Sequence, residues 1–164
     1  MSISTVDFCT PDIADEHPEV VQAVELQFTS YGGLKRFYGP AVTVKCHEDN
    51  SLVRKVIATP GQGRIIVVDG GGSLRRALLG DVQGAAAVAN GWRGLVIHGA
   101  IRDVQAMAQL DLGVFALGIV PLRTDKHGEG QSGIPVHFGG VNINSGDWIY
   151  ADDNGVLLAD HKLI

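Results

Sequence analysis

The sequence predicts an α/β domain whose last forty or so residues turn β-rich. Three observations carry that expectation. Short β-branched runs, Ile65–Val68, Leu95–Ile97 and Val114–Val120, have the continuous apolar pattern of strands covered on both faces. Helix-like stretches lie between them. After residue 133 the apolar runs shorten to three residues, Val136–Phe138, Trp148–Tyr150 and Val156–Leu158, separated by Gly, Asn and Asp. With 164 residues, no Pro/Ser linker and no internal repeat, a single domain over 1–164 is expected.

Taken in order, Glu19–Phe28 reads as a first helix leading to Tyr31-Gly32-Gly33. Ala41–Cys46 alternates as a half-buried strand does. Asn50–Ala58 opens with a capping asparagine and stops before Thr59-Pro60-Gly61, so it reads as a helix. The strand at Ile65–Val68 follows. Asp81–Asn90 is alanine-rich, starts with an acid and meets Gly91 as a C-cap. Leu95–Ile97 is the next strand, Asp103–Leu110 a short acid-started helix, and Val114–Val120 a strand ended by Pro121. Arg123–Gly133 is polar with three glycines, the most loop-like segment of the chain.

Composition excludes several classes. Thirteen Lys+Arg against eighteen Asp+Glu give a net charge of −5, so no general basic surface for nucleic acid is expected. Two cysteines, Cys9 and Cys46, are too few for a disulfide framework and form no metal-ligand pair; both fit small buried residues in a reducing cytosol. Met1–Phe8 lacks a basic stretch followed by an apolar core, so no signal peptide is expected, and no run is long enough for a membrane span. A soluble, cytoplasmic protein is the expectation. The six histidines show no zinc spacing, and no serine sits in a nucleophile elbow. The 22 glycines are nearly twice the usual share of about 7%.

Two constellations carry chemistry. In Val67-Val68-Asp69-Gly70-Gly71-Gly72-Ser73, a core-type strand runs into a glycine triplet and reaches Gly80-Asp81 at a helix start. Free N–H groups at such a start suit a carboxylate or phosphate. No Gly-Lys-Ser/Thr follows and the dinucleotide spacing fails, so a nucleotide fold is rejected. In Gly94–Asp103, a second strand runs through His98-Gly99 to Arg102-Asp103 at another helix start. If the two strands are neighbours, Asp81, Arg102 and Asp103 converge on one edge. Arg102 then offers a planar fork for a carboxylate, Asp103 an oxygen ligand for a hard divalent cation, and Asp81 a proton acceptor. The same acids also fit ordinary helix starts, with Arg102 simply paired to one of them. His98 is placed at the rim of this site. Gly70, Gly71, Gly72, Gly80 and Gly99 are assigned to it as close backbone approaches. Arg75-Arg76 reads as a solvated pair or subunit contact, and Asp147, Asp152 and Asp153 as turn residues.

Together, the glycine triplet with Gly80-Asp81 and Gly99-Ala100-Ile101-Arg102-Asp103 resembles the class II 4-hydroxy-4-methyl-2-oxoglutarate aldolases. That family also includes the regulators of ribonuclease E activity, type A. Val44–Asn50, Phe138–Val141 and Ser145–Asp152 extend the similarity over nearly the whole chain. The resemblance implies a homotrimer of α/β sandwiches similar to the phosphohistidine, or swivelling β/β/α, domain. It implies cleavage of 4-hydroxy-4-methyl-2-oxoglutarate to two pyruvates with Mg²⁺ or Mn²⁺, and oxaloacetate decarboxylation through the same enolate. It further implies that Arg102 binds the substrate carboxylate and keto group and that the backbone of Gly80, Asp81, Val82 and Gln83 cradles the carboxylate. Asp103 would hold the metal, and Asp81 would act through a water on the 4-hydroxyl. Where the family often has an acid three residues after the metal aspartate, this chain has Ala106. The regulator branch can lack the metal aspartate, which this chain keeps. The alternative function is inhibition of ribonuclease E by direct binding.

Overall fold

A computed structural model describes residues 6–164, so the reading of Met1–Phe8 falls mostly outside the described residues. The elements run α1 (Thr10–Glu16), β1 (Gln22–Ala23), β2 (Thr29–Ser30), β3 (Phe37–Lys45), α2 (Ser51–Ile57), β4 (Ile65–Asp69), α3 (Asp81–Ala89), β5 (Gly94–Ile101), α4 (Val104–Met107) and β6 (Gly113–Ile119). The remainder is strand: β7 (Gln131–Ser132), β8 (Val136–Phe138), β9 (Val141–Ile143), β10 (Trp148–Asp152) and β11 (Gly155–Ala159).

A large mixed sheet has the order β1-β11-β10-β3-β4-β5-β6-β2, with β7 on the end of β3 and β8-β9 as a separate hairpin. Its centre is parallel: β4 pairs with β3 on one side and β5 on the other, and β6 lies beyond β5. The long β3 joins two halves. Phe37–Pro40 pairs antiparallel with β10, and Ala41–Lys45 pairs parallel with β4.

Strand periodicity explains the layering. Successive side chains of β4 point to opposite faces. Ile66 and Val68 join Val53 and Ile57 of α2, Ala87 of α3 and Met107 of α4 in one buried cluster. Ile65 and Val67 face the other way, toward Phe37, Phe138, Val141, Ile149 and Val156. Helices therefore cover one face of the parallel strands, and the hairpin with β10 and β11 covers the other. All five residues of β4 are buried, which is why Ile65–Val68 is an uninterrupted apolar run. Beneath α1, a smaller cluster holds Phe8, Ile13, Tyr150 and Leu157.

Three expectations are corrected. Glu19–Phe28 is not a helix; it holds β1 and then the approach to β2. Val24, Leu26 and Phe28 recur at period two and pack on the hairpin-side cluster, which a helix would not allow. The helix expected over Asp103–Leu110 is only Val104–Met107, because the chain turns at Leu110 to enter β6. Conversely, Thr10-Pro11-Asp12 opens α1, which the reading missed although proline in a first turn beside an acid is a start signal. Its Thr10 N–H and Oγ–H both donate to the buried Asp152 carboxylate at 2.7 Å. Asp152 thus anchors α1 as well as its own turn, where it accepts the Asn154 N–H.

The polar segment after Arg123 is tied down despite its composition. Asp49, 2% exposed, accepts the Ser51 N–H and Oγ–H on one oxygen and the His127 and Glu129 N–H groups on the other. The Thr124 hydroxyl donates to Asn50 Oδ1, and Asn50 Nδ2 donates to the Leu78 carbonyl. Asn50 therefore pins a loop instead of capping α2 through its side chain. Burial alone raises the Asp49 carboxyl, but these four donors outweigh it and bring it down to about 2.

Packing is tight where Phe37 crosses the paired Gly94 and Gly113. A Cβ at Gly113 would stand 2.1 Å from Phe37 Cδ1. Gly113→Ala is expected to lower the urea-unfolding free energy by about 2 kcal/mol, as overpacking does. A loss below about 0.5 kcal/mol would mean that the ring yields freely. The Asp49 clamp should titrate in a defined direction. Its folded pKa is depressed, so its contribution is full above the ordinary value of 3.8 and is lost as pH falls toward about 2. Acid unfolding followed by circular dichroism should show wild type losing about 2 kcal/mol more over that window than Asp49→Asn. Parallel curves would show that the carboxylate does not carry the clamp.

Candidate active site

The parallel order places the C-terminal ends of β4 and β5 side by side, and the segments leaving them approach one another. Arg102 N–H donates to the Leu79 carbonyl and Leu78 N–H to the Ala100 carbonyl, so the chain before α3 runs alongside the exit of β5. Gly80 and Asp81 are thereby brought against Arg102 and Asp103.

The centre of the arrangement is Asp103. Its backbone is left-handed, with φ 58° and ψ 41°, a conformation that aspartate tolerates better than most residues. From there its Oδ2 accepts the N–H of Asp81, the first residue of α3, at 3.1 Å. Arg102 Nε lies 3.8 Å from the same oxygen. A Cβ on Gly80 would come within 2.7 Å of it, so a larger residue there would displace the Asp103 carboxylate. The Asp81 side chain turns back to accept the Val82 N–H at 2.8 Å. Arg102 also donates to the Pro121 carbonyl at 3.4 Å.

Gly80, Asp81, Val82, Gln83, Arg102 and Asp103 all line one cavity of about 430 Å³. The six residues to which the resemblance gives a part in substrate or metal binding thus line one cavity. Its wall also carries Asn50, Arg54, Ala77, Arg123 and Lys126, which the sequence reading did not assign. Arg123 and Lys126 lie in the loop held by Asp49 and Thr124, and no motif signals that anchorage.

The donor set fits a hard divalent cation held loosely. Among the described residues no group of three or more His, Cys, Asp or Glu side chains is arranged to hold a metal ion. Asp103 is 37% exposed through its side chain and open to the cavity, with Asp81 beside it. Such a site suits an ion that keeps most of its water, as Mg²⁺ does, and not a closed zinc cage.

His98 and the glycine triplet lie elsewhere. The strand expected to end at Ile97 continues to Ile101, so His98 is inside β5 and faces the hairpin layer. Its ring stacks on Phe138 at 4.8 Å, and its Nδ1 lies 3.4 Å from Asp69 Oδ1. Gly71 and Gly72 turn beside His47 and His98, and Gly71 with both histidines lines a separate cavity of about 680 Å³ with Lys45, Asp69 and His137. Gly70 and Gly99 pack against Leu78. Of the five glycines assigned to the site, only Gly80 lines it. Cys46 also lines the second cavity; burial, with Asp49 and Asp69 nearby, pushes its thiol up to about 12. Arg75 pairs with Glu48, and Arg76 donates to the Arg123 carbonyl.

Known proteins share this architecture. A protein of Ectopseudomonas mendocina, named "Putative 4-hydroxy-4-methyl-2-oxoglutarate aldolase", is 54% identical over 156 residues, covering 95% of this chain and 96% of the relative. A protein of the same name from Azotobacter vinelandii is 52% identical over 158 residues, 96% of this chain and 98% of its own. Among solved structures, an S-adenosylmethionine:2-dimethylmenaquinone methyltransferase from Geobacillus kaustophilus superposes with a TM-score of 0.94 at 42% identity, covering 95% of this chain and 97% of that one. The RNA-processing inhibitor RraA from Thermus thermophilis superposes at 0.93 with 39% identity, covering 97% and 96%. The RraA-like family description, Aldolase/RraA, matches residues 10–158, and the chain belongs to that family.

Proposed function

We propose that the protein cleaves 4-hydroxy-4-methyl-2-oxoglutarate into two pyruvates, with oxaloacetate decarboxylation as a secondary activity. The observation that carries this reading is the convergence of Arg102, Asp103 and the start of α3 on one cavity. The relatives' names differ among aldolase, methyltransferase and RNA-processing inhibitor, so the chemistry of the site has to choose. A guanidinium, two carboxylates and a helix start suit a small 2-oxo acid.

In the retro-aldol step, Asp81 takes the 4-hydroxyl proton through a water. The C3–C4 bond breaks, C4 becomes the carbonyl of one pyruvate, and the electron pair stays on C3 as the enolate of the other. Protonation at C3 completes the second pyruvate. Arg102 binds the carboxylate and keto region and stabilises the charge that develops on the keto oxygen. The backbone of Gly80 to Gln83 orients the carboxylate. Asp103 would hold Mg²⁺ or Mn²⁺, which when bound supplies Lewis-acid polarisation of the keto group. Ala106 stands where the family resemblance implies an acid, so this chain brings no carboxylate to the outer side of the metal at that position. Loss of CO₂ from oxaloacetate generates the same enolate and needs no hydroxyl base.

The layering of helices, parallel strands and hairpin sheet supports a likeness to the phosphohistidine swivelling domain. We read 1–164 as one such domain, working in the cytoplasm as a homotrimer. Among the described residues, no helix is long and apolar enough to cross a membrane. A second reading, ribonuclease E inhibition, is favoured by the 39% identity to the Thermus inhibitor. The net charge of −5 suits a basic protein partner.

Pyruvate release from 4-hydroxy-4-methyl-2-oxoglutarate should require Mg²⁺ or Mn²⁺ and stop with a chelator. Arg102→Ala and Asp103→Ala should each lower kcat/KM by about a hundred-fold or more. Wild-type protein inactive on both substrates in excess metal would overturn the aldolase reading. For the second reading, immobilised protein should capture ribonuclease E and slow RNA cleavage, and Asp103→Ala should retain both effects. Absence of capture would dismiss it.

A further inference from the structure

Arg54, Arg123 and Lys126 line the same cavity as Arg102, and among the described residues none of the three is in an ion pair. Four cations thus face two carboxylates, Asp81 and Asp103, in a chain whose net charge is −5. The distribution is local and has a cost, since like charges around one cavity repel.

Arg123 and Lys126 are also held in position. Buried Thr124 lies between them and donates to Asn50 Oδ1 at 2.8 Å. The next residue after Lys126, His127, gives its N–H to Asp49 at 2.8 Å. Arg123 is further fixed by a bridge to Ala77, another residue of the cavity wall. Arg54 projects from α2, whose start carries Asp49 and Asn50. A loop this polar would not normally be rigid. Here two buried side chains, Asp49 and Thr124, clamp the stretch that bears the cations.

A ligand with one carboxylate can neutralise only part of this positive charge. We propose that Arg54, Arg123 and Lys126 form a second carboxylate subsite, which selects 2-oxo acids carrying a carboxylate at their far end over those ending in a methyl group. The inference rests on the reading that Arg102 binds a 2-oxo acid and extends it to the other end of the substrate. A cavity of about 430 Å³ accommodates a small diacid spanning both. The preorganised loop reduces the ordering that binding would otherwise require.

The test is equilibrium binding of 2-oxoglutarate and 2-oxopentanoate in magnesium buffer by titration calorimetry. The two share a five-carbon chain and differ in the terminal carboxylate. Wild-type protein should prefer the diacid by about ten-fold or more at low ionic strength, and salt should erode the preference. Arg123→Ala and Arg54→Ala should each reduce it by roughly three- to five-fold, the scale of one exposed charge pair, and the double variant should bring it near unity. Arg123→Lys, which keeps the charge, should restore most of it. Equal affinities in wild type, or a preference untouched by the alanine variants, would overturn the subsite. If the preference behaves as expected while no pyruvate is released from the aldol substrate, the aldolase reading falls and the subsite stands. If both acids bind equally through Arg102, the subsite alone falls. Failure of both to bind at millimolar concentration overturns both.

Discussion

Burial of the two central parallel strands, β4 and β5, on both faces is the constraint from which the rest of this structure follows. A strand covered on two sides exposes function only at its ends. Parallel neighbours also bring their C-terminal ends to the same edge, where the following helices begin. Asp81 after β4 and Arg102-Asp103 after β5 meet because the two parallel strands deliver their following segments to the same edge. The Phe37 ring, lying over Gly94 and Gly113, shows how little slack the sheet has behind the site.

Around that rigid edge the protein uses buried polar groups to hold irregular chain. Asp49 and Asn50 fix the loop from Arg123 to Glu129, and Asp152 fixes α1. In each case a carboxylate or amide removed from water is satisfied by several donors, which makes the arrangement expensive to break. The consequence for chemistry is that cations on a polar loop stand in fixed relation to Arg102. Relatives with different names share this scaffold, so the site, not the fold, distinguishes what each does.

Much was legible before any coordinates. The core strands announced themselves because double-sided burial leaves uninterrupted β-branched runs, and Gly80-Asp81 and Arg102-Asp103 stood directly after them. Other features were hidden for physical reasons. Val24, Leu26 and Phe28 alternate, but three alternating positions are too few to separate a short strand from a helix in Glu19–Phe28. His98 looked like a strand exit because Gly99 follows it, yet Gly99 lies within β5, and the pleat sends the imidazole to the opposite layer from Ile97.

The sequence by itself determined the α/β class, the order of the central elements and the two pairs Gly80-Asp81 and Arg102-Asp103, because each depends on local pattern. Only the tertiary structure decided which glycines serve that site and which turn beside a second cavity, since both kinds follow the same strand in the same way. It alone showed that a loop of charged and small residues is clamped at Asp49 and Thr124. Such clamps join residues some eighty positions apart, and no local pattern records a hydrogen bond across that distance.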